Sequence, residues 1–136
     1  MAAIHLEIIT PSKKAFSADV KSVTVPGTKG SFQVLYNHAP LISTLDVGEI
    51  KIHMLDDKVV HYSTGGGTVE VNNNKILVLA DSIEAIEDID PERAKKAEQR
   101  ARERIHKREH GVNIERAELA LARSVNRLKL LEKYSK

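Results

Sequence analysis

The chain has 136 residues, 41% hydrophobic and 29% charged, with a formal net charge of +2 and no cysteine. That length suits one domain, or one domain with an appendage, around a modest core. Disulfides and thiolate chemistry are excluded. The N-terminus shows no basic region ahead of an apolar run, so it does not read as a secretory signal, and no apolar stretch approaches the roughly 20 residues of a membrane span.

The first 89 residues read as short strands and turns. Ile4–Thr10 is β-rich and is stopped by Thr10-Pro11-Ser12. Val20, Val23 and Val25 alternate imperfectly with polar residues. Gly27-Thr28-Lys29-Gly30 turns the chain, Ser31–Leu35 resumes it, and Asn37-His38-Ala39-Pro40 forms a loop. Leu41–Leu45, Glu49–Leu55 and Lys58–Tyr62 follow, separated by Asp46-Val47-Gly48 and Asp56-Asp57. Gly67–Val71 and Lys75–Ala80 flank Asn72-Asn73-Asn74, a hairpin signal because asparagine tolerates positive φ. Eight or nine short strands with regularly spaced turns predict an antiparallel sandwich or barrel.

Catalytic signals are poor in this part. Gly27-Thr28-Lys29-Gly30 lacks the ending and the following helix of a phosphate loop. Gly65-Gly66-Gly67 precedes a strand and reads as a bulge or close backbone approach. His38 has no spaced acid or hydroxyl partner and reads as a loop-packing residue, while His5, His53 and His61 lack metal-ligand spacing.

At Asp90-Pro91-Glu92 the character of the chain changes. Asp90 is a good N-cap, Pro91 fits the first helical position, and Glu92 places negative charge on the positive end of the helix dipole. A helix is expected from Pro91 to about Glu109, with Ala94, Ala97, Ala101 and Ile105 on its apolar face. His110-Gly111 breaks it, Gly111 serving as a left-handed cap. A second helix is expected from an Asn113 N-cap to about Lys133. Its stripe is Ile114, Ala117, Leu121, Ser124, Leu128 and Leu131, a narrow heptad seam. The short connection implies an antiparallel hairpin. The domains are thus a β-sandwich over 1–88 and a helical hairpin over 89–136, an α+β chain. Alanine at facing positions buries little area, so the hairpin is only conditionally stable.

Charge is divided the same way. Residues 90–136 hold 14 Lys and Arg against 8 Asp and Glu, including all eight arginines, whereas residues 1–89 hold 7 Lys against 11 acids. Arg93 and Arg100 are seven apart, and Arg123 and Arg127 four apart, so each pair shares a helical face. In a hairpin turning near residue 111, Arg100 falls opposite Arg123 and Arg93 opposite Arg127. Four converging cations require an anion or carboxylates between them. A polyphosphate site and salt-bridged or solvated faces are both compatible with the pattern. His106 and His110 are four apart, but two ligands do not make a metal site, and cations at a helix C-terminus are favourable anyway. Basic helices admit a nucleic-acid reading, against which stand the interleaved Glu115, Glu118 and Glu132 and the lack of an aromatic platform.

Five segments together resemble the epsilon subunit of the F-type ATP synthase. They are Asn37-His38-Ala39-Pro40-Leu41, Gly66-Gly67-Thr68-Val69-Glu70-Val71, Val78-Leu79-Ala80-Asp81, Ile89-Asp90-Pro91-Glu92-Arg93-Ala94 and Arg116-Ala117-Glu118-Leu119-Ala120-Leu121. Gly65 stands where the family has a serine, and Tyr36-Asn37 where it commonly has Pro-Gly, departures that bear on loop shape. The resemblance spans the whole chain. It implies a non-catalytic rotor subunit that couples proton flow to ATP synthesis. Its sandwich would sit against the gamma subunit and the c-subunit ring. Its helices would fold down, or extend along gamma to the alpha and beta subunits and block ATP hydrolysis. It implies no metal, no nucleic acid and no membrane insertion. Location would be peripheral, at the cytoplasmic face of a bacterial cell membrane rather than at a thylakoid. In some bacterial members ATP binds the folded hairpin through Ile/Leu-Asp-x-x-Arg-Ala, which Ile89–Ala94 matches in full. Carried over by position, the ATP contacts are Glu84, Ile89, Asp90, Arg93, Ala94, Arg100, Arg123 and Arg127. The resemblance is equally compatible with a structural stalk role and no physiological ATP binding.

Overall fold

A computed structural model describes residues 2–107, 111 and 113–135. The chain divides into two compact units, one ending at Ala85 and one beginning at Ile86. The first contains β1 (Ile4–Ile9), β2 (Lys14–Gly27), β3 (Gly30–Val34), β4 (Leu41–Met54), β5 (Val59–Asn72), β6 (Lys75–Ala80) and β7 (Ile83–Ala85). A short 3-10 turn (Ile86–Asp88) opens the second unit, followed by α1 (Pro91–Lys107) and α2 (Ile114–Tyr134). The α+β class expected from sequence is therefore the observed one.

The strands run in the order β1-β6-β5-β4-β2-β3, and β1 also pairs with β2. That extra pairing closes β1, β6, β5, β4 and β2 into a ring, so alternate residues point to a shared interior. Ile4, Leu6, Ile8, Ile50, Ile52 and Val78 are among the side chains sealed there. The pairings are antiparallel except β1 with β6, which is parallel and joins Leu6 to Ile76 and Ile8 to Val78 in register.

There are seven strands among the described residues, fewer and longer than eight or nine short ones. Leu41–Leu45 and Glu49–Leu55 belong to one strand, β4, and Lys58–Tyr62 and Gly67–Val71 largely to another, β5. The presumed breaks lie opposite each other, Leu45 pairing with Gly67 and Val47 with Gly65. Gly66 and Gly67 have φ of 100° and 147°. A Cβ at Gly67 would stand 2.1 Å from the Leu79 carbonyl oxygen. These glycines therefore bend a continuous strand against its neighbour rather than end it. The imperfect alternation of β2 has a similar cause. Its register against β4 shifts between Val20 and Ser22, so the inward positions pass from Val20 to Val23 and Val25. An extra residue in one strand moves the following side chains to the other face.

The Asn72-Asn73-Asn74 turn signal holds. Asn73 and Asn74 take φ of 50° and 61° between paired Asn72 and Lys75, the positive-φ pair of a two-residue hairpin turn. Asn74 also ties down the 37–40 loop, its Oδ1 accepting from the Asn37 N–H at 2.6 Å.

In the second unit, Asp90 caps α1 as its residue type requires. Its Oδ1 accepts from the N–H groups of Glu92 at 3.0 Å and Arg93 at 3.3 Å. Asn113 caps α2, accepting from the Arg116 N–H at 3.1 Å. Gly111 has φ of 88°, the left-handed conformation expected of a helix-ending glycine. The expected extension of α1 to Glu109, and His110, lie outside the described residues. Each helix buries a small residue every two turns, Ala94 and Ala101 on α1 and Ala117 and Ser124 on α2. Ser124 is sealed completely and satisfies its hydroxyl by donating to the Leu121 carbonyl at 2.9 Å.

The apolar stripe of α2 needs one correction. Leu130 is buried, while Leu121, Leu128 and Leu131 are only partly so. The reason is what that end of the helix meets. Leu130 packs in one cluster with Ile86, Ile89 and Ala94, contributed by the 3-10 turn, the linker and the start of α1. A helix facing a turn as well as a helix does not keep a strict heptad face.

Candidate functional site

The Ile89–Ala94 motif resolves into two kinds of residue. Ile89 and Ala94 are buried, at 6% and 3% exposure, beside Leu130. Asp90 and Arg93 are exposed. The motif thus fixes the start of α1 by two apolar anchors and a cap. The Asp90 carboxylate lies within one turn of Arg93, whose own N–H it holds. The same carboxylate retains a second oxygen that these capping bonds do not use.

The remaining arginines of interest are distributed along the two helices. Arg100 is exposed; Arg123 and Arg127 are half-buried. Glu84 belongs to the other unit, on β7, where it pairs with Ser63 of β5 and is half-buried. Toward the Gly111 end of the hairpin lies a depression of about 540 Å³ that brings Arg123 together with Arg104 and Arg116. Neither Arg104 nor Arg116 was singled out beforehand as an anion contact. The register that opposes Arg93 to Arg127 would have found them, because it also opposes 104 to 116.

Electrostatics elsewhere follow ordinary pairing. Arg102 donates to Glu98 at 3.2 Å, one turn away. Lys14 beside Glu7 holds that carboxyl below its usual range, chiefly through their hydrogen bond, and Lys21 does the same for Asp57. His61 meets Glu49 at 2.7 Å, and His38 donates through Nδ1 to the Ala39 carbonyl at 2.7 Å, the loop-packing role its surroundings suggested. Among the described residues no three His, Cys, Asp or Glu side chains converge as a metal requires, and no helix is long and apolar enough to cross a membrane.

Residues 3–86 match the family described as ATP synthase, Delta/Epsilon chain, beta-sandwich domain. Residues 87–132 match its long alpha-helix domain. The chain is 40% identical over 128 residues to the ATP synthase epsilon chain of Desulforamulus reducens, covering 94% of this chain and 96% of that one. It is 41% identical over 128 residues to the epsilon chain of Nitratidesulfovibrio vulgaris, covering 94% and 95%. Its fold is also that of a chain in the cryo-EM structure of Euglena gracilis mitochondrial ATP synthase. The TM-score there is 0.85 at 22% identity, over 96% of this chain and 82% of that one. The chain belongs to the epsilon chains of the F-type ATP synthase, accessory subunits that are not themselves catalytic.

Proposed function

We propose that this epsilon chain is a central-stalk subunit of the rotor. In this reading its sheet unit engages the gamma subunit and the c-subunit ring, coupling proton flow to ATP synthesis. Its helices restrain ATP hydrolysis when they extend toward the alpha and beta subunits. The complex holds the chain peripherally at the cytoplasmic face of a bacterial membrane. Support comes from the match to epsilon chains across both units, and from a related fold in a Tetrahymena thermophila structure described as central stalk and c-ring, with a TM-score of 0.57.

ATP acts here as a regulatory ligand that favours the folded hairpin, met by Glu84, Ile89, Asp90, Arg93, Ala94, Arg100, Arg123 and Arg127. The observation that carries the switch is the small-residue seam of Ala94, Ala101, Ala117 and Ser124. Such a seam permits close approach of two helices but buries little area, so the hairpin is separable at modest cost. ATP shifts the balance only by the difference in its affinity for the two arrangements, and a shift from 1:99 to 99:1 needs ~5.5 kcal/mol.

The test is an ATP titration of the isolated subunit with fluorophores on the helices and on the sheet. The distance should change saturably by millimolar ATP. Arg93→Ala and Arg127→Ala should each weaken ATP binding by about tenfold or more, the loss of a charged contact. An unchanged distance sinks the switch and leaves the second reading, a structural stalk role without regulatory ATP. Deleting residues 86–136 then separates the remaining claims: the assembled complex should hydrolyse ATP faster without them.

A further inference from the structure

We propose that Ser17 is a modification site: a nucleophile, activated by His5 and Asp19, that takes the acyl group of activated carboxylic esters. The three residues meet on the outer face of the seam where β1 pairs with β2. Ile4, Leu6 and Ile8 point into the interior of the sheet, so His5 and Glu7 point out. The register sets His5 opposite Asp19 and Glu7 opposite Ser17, which places Ser17 diagonal to His5. Ser17 lies 12 positions from His5 in the chain and Asp19 lies 14, so sequence spacing does not show the cluster.

The hydrogen bonds run in one direction. His5 donates from Nδ1 to Asp19 at 2.8 Å, because a carboxylate can only accept. In the neutral ring Nε2 then carries the lone pair, and the Ser17 hydroxyl donates to it at 3.5 Å. Nucleophile, base and orienting carboxylate thus follow in the order that activates a serine, at the looser nucleophile–base distance such sites show before a substrate binds. A cross-strand ion pair alone would account for His5 and Asp19. It would not set a hydroxyl against the other ring nitrogen.

Glu7, 4.0 Å from Nε2, is beyond hydrogen-bond reach of the ring and is itself held by Lys14 at 2.9 Å, which leaves Nε2 to Ser17. Lys14 also brings an ammonium to this face, a charge that favours a developing oxyanion. Ser17 is exposed, so a reagent reaches it without opening the sheet. In the step, Ser17 Oγ attacks the acyl carbon and its proton passes to His5 Nε2. The bond from that carbon to the leaving oxygen breaks. The alcohol or phenol departs with the electron pair and takes up the proton, and an ester remains on Ser17. The chain is modified once and turns nothing over, in keeping with a subunit that is not catalytic.

The experiment treats the full-length subunit with p-nitrophenyl acetate and maps acetyl groups by peptide mass spectrometry. Hydroxylamine cleaves serine esters and spares lysine amides, which separates the two products. Ser17 should be acetylated about a hundredfold faster than the exposed Ser31, the worth of general-base assistance. His5→Gln should bring Ser17 down to the rate of Ser31. Asp19→Asn should slow Ser17 by about tenfold or more, because the ring then presents the wrong tautomer. The wild-type reaction should run slower in deuterium oxide and the His5→Gln reaction should not, a difference that a purely structural His5 would not produce. Equal acetylation of Ser17 and Ser31 in the wild type overturns the proposal without any variant, and so does full reactivity of a folded His5→Gln. Loss in Glu7→Gln with retention in His5→Gln overturns it too, by making Glu7 the base.

Discussion

Asp90 caps a helix and is also one of the residues proposed to meet ATP. Its carboxylate holds the first turn of α1 through the N–H groups of Glu92 and Arg93. Removing that oxygen in Asp90→Ala should cost the helical unit about 1 kcal/mol, whereas Asp90→Asn keeps an acceptor in the same place and should cost only a few tenths. Urea unfolding followed by circular dichroism reads this directly. Equal losses in both variants would show that the charge, rather than the cap, stabilises the helix. The pair also divides Asp90's two proposed roles, since Asp90→Asn alters the charge offered to a nucleotide while sparing the helix start. This capping function was legible from Asp90-Pro91-Glu92 alone, because every contribution is local. The burial of Ile89 and Ala94 was not, since it depends on Leu130, forty-one and thirty-six positions away.

At the scale of elements, local signals located bends and turns but misjudged some of their consequences. Asn73-Asn74 ends a strand because both residues adopt positive φ in a two-residue turn. Gly66-Gly67 carries positive φ as well, yet β5 continues, because β4 pairs across the bend at Leu45 and Val47. Whether a glycine breaks a strand is thus decided by its partner, which sequence spacing does not contain. The same holds for α2, where the heptad stripe pointed to Leu128 and Leu131 and the packing selects Leu130. Leu130→Ala should therefore destabilise the helical unit by about 2–4 kcal/mol, as truncation of a buried leucine does. Leu128→Ala and Leu131→Ala, at partly exposed positions, should each cost less than half as much. Helix-specific thermal unfolding of the three variants checks the order, and a larger loss at Leu131 would restore the heptad face.

The whole chain joins two units held together by different physics. The closed sheet has a core of 15 buried apolar residues drawn from six strands and sealed by pairing between β1 and β2 and between β1 and β6. Among its described residues the helical unit has one buried apolar cluster of four residues and a seam of alanines and one serine. Apolar burial is the main stabilising term, and opening free energies differ from region to region within one protein. The helices should therefore open separately, at lower free energy than the sheet. Native-state hydrogen exchange measures this. Amides of β4 and β5 should exchange only through global unfolding, while those of α1 and α2 exchange through a smaller opening that leaves the sheet protected. A ligand that binds only the closed hairpin adds RT ln(1 + [L]/Kd) to that smaller opening, about 1.4 kcal/mol at ten times its Kd. ATP should thus slow exchange in α1 and α2 and leave β4 and β5 unchanged. One common exchange free energy in both units, without ligand, would make the chain a single cooperative body and remove the physical basis for helices that fold and release on their own.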